Sequence, residues 1–120
     1  ASKRHVEVKV GGEIVADSKA ATFLFETGMP TRFYIPKEDV RADVLSESEL
    51  RTGCPYKGNA NYYSVDAGGK TFENIVWYYP DPIAEIPKIK DLLCFFNEKV
   101  DAIFVDGVEI PKQRSPWSED

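Results

Sequence analysis

The chain has a single histidine, His5, and only two cysteines, Cys54 and Cys94. That scarcity excludes several kinds of site. A zinc centre built from thiolates needs paired Cys-x-x-Cys arms, and here each cysteine stands alone. A cysteine nucleophile usually takes its activating base from a histidine, and His5 falls in the first strand near the terminus. Two cysteines are too few for a disulfide framework, so two free thiols, no metal and no cofactor are expected. No apolar run approaches the roughly 20 residues needed to span a bilayer. The opening Ala1-Ser2-Lys3-Arg4-His5 leads straight into a strand and shows no signal-peptide pattern. A cytoplasmic protein without a membrane partner is the expectation. Positive charge is also short: 15 Lys and Arg face 20 Asp and Glu, a net charge of −5. Phosphate contacts supply most nucleic-acid affinity, so this balance argues against a nucleic-acid partner.

What is present is a short, soluble-type composition with 42% hydrophobic and 29% charged residues. A chain of 120 residues can bury a core without metal or disulfide staples, and residues 1–120 read as one domain. The dominant hydrophobic period is two. His5 to Val10 alternates, so Val6, Val8 and Val10 share a face. Gly11-Gly12, Asp66 to Lys70 and Asp106-Gly107 are hairpin signals. Strands are expected over 13–17, 22–25, 32–35, 60–65, 71–79, 92–96, 101–105 and 108–110. Lys37 to Val40 reads as a turn or one helical turn, the serine-rich stretch from Val44 to Leu50 as a loop, and Ile83 to Lys90 as an extended crossover. The fold class is all-β: a compact single-domain sandwich or partly open barrel of about eight short, mainly antiparallel strands.

Thr52-Gly53-Cys54-Pro55-Tyr56-Lys57-Gly58 is the densest chemical cluster. A thiol, a phenol and an amine sit on a turn that Pro55 stiffens and Gly58 releases. Lys57 favours thiolate formation at Cys54 and suits an anionic or carbonyl contact. The alternative is a packed Cys54 and a solvated Lys57. Glu26 follows the apolar Phe23-Leu24-Phe25. It is either a carboxylate at the edge of the core, able to move protons, or the salt-bridge partner of Arg32 or Lys57. Arg32 and Tyr34 alternate on one strand face, a pair that suits a carboxylate or phosphate and equally suits a solvated face. Trp77 and Tyr79 share a face opposite Tyr78, and Tyr62 and Tyr63 precede them. Most of these aromatics read as core, with some lining a cleft.

Taken in order, Gly12 to Asp17, Glu26, Tyr34-Ile35-Pro36 with Asp39-Val40, Thr52 to Gly58 with Tyr62-Tyr63, Trp77, Tyr79, Pro80, Pro82, Phe95 and Val100-Asp101 resemble the domain-of-unknown-function 427 family. The resemblance covers nearly the whole chain, with Cys-Pro-Tyr-Lys-Gly its most specific segment. It implies a single all-β domain with a pocket lined by the matching residues. A nucleotidyltransferase label sometimes attached to the family finds no support here, since neither a Gly-rich phosphate loop nor a paired-aspartate motif is present.

The leading expectation is a small cofactor-independent enzyme, of lyase, isomerase or hydrolase type, acting on a small anionic or carbonyl-bearing molecule in a β pocket. Glu26, Lys57 and Cys54 are its candidate catalytic residues. Arg32, Tyr34, Tyr56, Tyr63 and Trp77 are the candidate substrate-binding residues. The alternatives are a non-catalytic small-molecule-binding module and a protein-interaction domain. The oligomeric state is not legible in the sequence.

Overall fold

The computed structural model describes residues 4–55, 57–83 and 87–112. Tyr56, residues 84–86 of the expected crossover, and Trp117 lie outside them. Ten strands run through the described residues: β1 (Val6–Val10), β2 (Glu13–Ser18), β3 (Thr22–Leu24), β4 (Arg32–Ile35), β5 (Leu45–Cys54), β6 (Gly58–Ala67), β7 (Lys70–Tyr78), β8 (Leu93–Phe95), β9 (Ala102–Val105) and β10 (Val108–Glu109). One-turn 3₁₀ segments at Lys37–Asp39, Ala42–Val44 and Pro87–Ile89 are the only helical elements of the described chain. No described helix is long and apolar enough to cross a membrane.

Two open antiparallel sheets face each other. The four-stranded sheet has the order β10-β9-β1-β2, and the six-stranded sheet β3-β4-β8-β7-β6-β5. All three expected hairpins join antiparallel neighbours, closing at Val10↔Glu13, Ala67↔Lys70 and Val105↔Val108. Two-residue glycine turns allow little else. The alternation read in β1 decides which side is buried: Val6, Val8 and Val10 are fully enclosed, and Glu7 and Lys9 are not. They meet Ile35, Val65, Val76 and Leu93 of the other sheet in one apolar cluster. Full burial of such side chains is worth about 1.5–3 kcal/mol each, and this interleaf supplies the main driving force for folding.

One segment departs from the sequence reading. Residues 45–54, expected in their first half to be a loop, form the ten-residue edge strand β5. None of its residues is buried, and it pairs only with β6. Periodicity reports burial on one face, and an edge strand exposed on both sides carries none. Its Ser, Glu and Arg side chains suit an edge that must not recruit another chain. The expected crossover also differs in part: Pro87–Ile89 is a 3₁₀ turn, and Lys90 makes an isolated parallel bridge to Tyr79.

The six-stranded sheet is covered on both faces. Its inner face meets the sandwich core. Its outer face holds a second cluster of Tyr34, Ala60, Trp77, Tyr79, Ile89 and Cys94. That second face positions the candidate site.

Candidate functional site

Strand register builds the floor of the site. Tyr34 lies opposite Cys94, Cys94 opposite Trp77, and Trp77 opposite Tyr62. Directly paired residues share a face, so these four form one row across β4, β8, β7 and β6. Tyr79, two residues beyond Trp77, belongs to the same face, and Tyr78 packs with the inner core. The Tyr34 and Trp77 rings meet edge-on at 6.3 Å, and Trp77 and Phe96 lie 4.4 Å apart.

The turn that joins β5 to β6 brings Lys57 to this floor. The Lys57 N–H donates to the Cys54 carbonyl at 3.3 Å, and the Ile83 N–H donates to the Lys57 carbonyl at 3.0 Å. Gly58 makes the turn possible. Its φ is +115°, and a Cβ there would stand 3.1 Å from the Asp81 carbonyl oxygen. Lys57 Nζ donates to both carboxylate oxygens of Glu26, at 2.7 and 2.8 Å. The Lys57 side chain is 15% exposed and that of Glu26 38%. Of the two readings of Glu26, the structure shows the salt bridge; the carboxylate is not enclosed by the core.

Arg32 enters from β4 and is locked in place. Its guanidinium donates to both oxygens of Glu98, at 2.6 and 3.1 Å, and to Asn97 Oδ1 at 3.1 Å. Both side chains of the ion pair are almost wholly buried, at 4% and 5% exposure. The guanidinium also sits 5.1 Å from the centre of the Trp77 ring. Desolvation pulls the Arg32 pKa down, but the Glu98 hydrogen bond and the surrounding groups outweigh it, and the net shift is upward. Arg32 is therefore a fixed cation in the wall.

Three groups of the floor, Tyr34, Tyr79 and Cys94, are held protonated. Desolvation pushes Tyr34 and Tyr79 well above the usual phenol range, and does the same to the enclosed Cys94 thiol, against the pull of Arg32. Glu26 adds to the rise at both tyrosines, and Lys57 opposes it at Cys94, which places the ion pair within electrostatic reach of this floor. Tyr34 carries the most pointed observation. It is fully buried, and its hydroxyl has no hydrogen-bond partner among the described residues. The Trp77 indole N–H approaches this hydroxyl and lowers its pKa against the larger effect of burial, but that approach falls short of hydrogen-bond geometry, and no other described group meets the oxygen.

Six of the residues singled out from the sequence, Glu26, Arg32, Tyr34, Cys54, Lys57 and Trp77, are gathered on or beside this face. Tyr63 is not. It points into the sandwich core, where Lys37 Nζ donates to its hydroxyl at 3.0 Å and the Tyr78 ring stacks on it at 5.0 Å. Adjacent strand residues face opposite ways, so the pairing of Tyr62 with Trp77 takes Tyr63 to the other side. Tyr56 lies outside the described residues. Glu98 and Phe96 were missed: Phe96 closes the apolar run that reads only as a buried strand, and Glu98 follows it.

Both cysteines are free. Cys94 is fully enclosed and Cys54 half-buried. Under native conditions a thiol reagent should therefore modify Cys54 within minutes and leave Cys94 untouched. Denaturation without reductant should release the second thiol. Rapid reaction of both in the native state would contradict the enclosure of Cys94.

Cavities lined by described residues lie elsewhere on the protein. One of about 590 Å³ is bordered by Arg51, Gly53, Asn59, Asn61 and Asp81. An apolar one of about 300 Å³ is bordered by Phe23, Phe25, Phe33, Val105 and Ile110. On the outer face of the four-stranded sheet, His5, Glu7 and Asp17 each offer one donor atom, all within 4.8 Å of one another. Asp17 joins the other two because it pairs with Glu7 across the first hairpin.

A family model described as a domain of unknown function, DUF427, matches residues 1–106. No curated protein matches the chain.

Proposed function

The chain belongs to the DUF427 family, and from that premise we propose that it binds a small acceptor-bearing molecule on the outer face of its six-stranded sheet. The reading rests on the buried, unpartnered hydroxyl of Tyr34. Leaving such a group unpaired costs about 1–3 kcal/mol, and native proteins leave few of them. A ligand oxygen or nitrogen reaching that hydroxyl would remove the penalty. The surroundings support an acceptor: Lys57 and Arg32 are cationic, and Tyr34, Tyr79 and Cys94 keep their protons.

The ion pairing favours binding over acid–base catalysis. Both Glu26 oxygens accept from Lys57, and Arg32 is held by both oxygens of Glu98, so the charged groups here hold one another in place, whereas a general acid or base must reach the proton it moves. A non-catalytic binding module is accordingly the reading we prefer to a lyase, isomerase or hydrolase.

Tyr34→Phe tests the proposal with two readouts of opposite sign. Removing the unpaired hydroxyl should raise stability by about 1 kcal/mol, seen as a higher denaturant midpoint. Ligand-observed NMR with a set of small acids, amides and ketones should find molecules that bind the wild type and lose affinity for the variant. A less stable Tyr34→Phe protein, or hits indifferent to the substitution, would refute the site.

A further inference from the structure

Gly53 is the one glycine of this chain that the backbone does not call for. The other seven of the eight take positive φ, where a side chain is strained. Gly53 does not, and it lies within β5. The ladder around it is regular, with Thr52↔Ala60, Gly53↔Asn59 and Cys54↔Gly58 in step, so it marks no bulge. Beyond its chain neighbours, a Cβ there would meet only Asn59 Oδ1, at 3.5 Å, an ordinary van der Waals contact. Glycine inside a strand costs stability through backbone entropy and packs nothing. A remaining reason for one is the close approach of a ligand. What stands over Gly53 is the cavity of about 590 Å³, within the size range of small-molecule sites.

Strand register builds the walls. Arg51 lies opposite Asn61, and Asn61 opposite Tyr78. These three share the face that Trp77 does not, and Gly53 and Asn59 follow two residues on, at the base of the Cys54 to Gly58 turn. Asp81, past the end of β7, borders the same cavity. Arg51, Gly53, Asn59 and Asp81 are exposed, and Asn61 is half-buried. One guanidinium nitrogen of Arg51 donates to the Ser48 and Leu50 carbonyls, each at 2.8 Å. Its other nitrogens, the Asn59 carboxamide and the Asp81 carboxylate have no hydrogen-bond partner among the described residues. The cavity therefore offers one cation, one anion and two carboxamides. Arginine only donates, aspartate only accepts, and a carboxamide does both. The two charges cancel, so an ion attracted by one is repelled by the other. Pro80 is the only apolar side chain of the lining. Such a set matches an uncharged molecule whose hydroxyls each give and take a hydrogen bond. Independently of the outer-face site, we infer that this cavity binds a saccharide, with one sugar ring over Gly53 and its hydroxyls toward Arg51, Asn59, Asn61 and Asp81.

Amide NMR of the isotope-labelled chain tests this with glucose, galactose, mannose, N-acetylglucosamine and maltose, each titrated into the millimolar range. At least one should shift the Gly53 backbone amide and the Asn59 and Asn61 side-chain amides, and leave the Trp77 indole signal in place. Inorganic phosphate and glycine are the controls for an anion and a zwitterion, and neither should move these signals. Gly53→Val places a side chain in the cavity and suits a strand better than glycine. Its denaturant midpoint should equal or exceed the parent's, while the saccharide shifts disappear. Asn59→Ala removes no contact of the free protein and should weaken binding roughly three- to tenfold, the worth of one or two neutral hydrogen bonds. A panel in which no saccharide moves these amides would overturn the inference. So would shifts that survive Gly53→Val, or a response to phosphate or glycine stronger than to any sugar. A lowered midpoint for Gly53→Val would show that the glycine serves packing, and would remove the observation on which the site rests.

Discussion

Arg32→Met is expected to lower the unfolding free energy by about 3–5 kcal/mol, the usual result of removing one partner from a buried ion pair. A domain of this size holds only about 5–15 kcal/mol in total, so the variant should be marginal at 37 °C. The reason is local. Arg32 and Glu98 are both nearly sealed from water, and the guanidinium meets both carboxylate oxygens and the Asn97 side chain. Methionine retains much of the packing against Trp77 and Phe96 but removes the guanidinium that meets both oxygens of the buried Glu98. The double variant Arg32→Met, Glu98→Leu should recover most of the loss, because well-packed apolar pairs commonly match buried ion pairs. Urea unfolding of the two variants and the parent measures this. A single variant within about 1 kcal/mol of the parent would mean that Glu98 draws its stabilisation from elsewhere.

Gly68→Ala should be comparably damaging, at about 2–5 kcal/mol, for a different reason. The turns of the β1–β2 and β6–β7 hairpins meet through their backbones. A Cβ on Gly68 would clash with the Gly11 carbonyl oxygen, far inside van der Waals contact. Gly68 also has φ +60°, where a side chain costs about 1–2 kcal/mol, and crowding in a packed contact adds about 1–3 kcal/mol. Its neighbour supplies the control. Gly69 has φ +77° but nothing within 4 Å of its Cβ position, so Gly69→Ala should carry the strain alone. The Gly68 N–H also donates to Glu13 at 2.7 Å, which with Arg41 holds the Glu13 carboxyl below its usual range. Separating the turns would break that contact too. Equal denaturant midpoints for the Gly68 and Gly69 variants would show that the close approach does not persist in solution.

The two effects matter differently for the site. Arg32 braces the wall beside Trp77, so its loss should disturb ligand binding along with stability. Gly68 lies at the far end of β6 from the Lys57 turn, and a folded Gly68→Ala protein should keep whatever affinity the parent has.

The sequence by itself determined the all-β class, the three glycine hairpins and the buried face of β1, because turn chemistry and alternation are local and one-dimensional. It also placed Arg32 with Tyr34, and Trp77 with Tyr79, on shared strand faces, since a period of two needs no knowledge of the partner strand. It marked the Cys54 to Gly58 turn for the same reason: Pro and Gly constrain the chain wherever they stand. Only the tertiary structure decided the rest. β5 became a strand because β6 offered it a ladder, and its side chains, exposed on both faces, record nothing of that. Tyr62 rather than Tyr63 reached the outer face because its register with Trp77 fixed which way each points. Glu98 was assigned to Arg32, and Glu26 to Lys57, across 66 and 31 residues of chain. The unpaired Tyr34 hydroxyl exists only once every neighbour is in place, since whether a buried oxygen finds a partner is a property of packing in three dimensions.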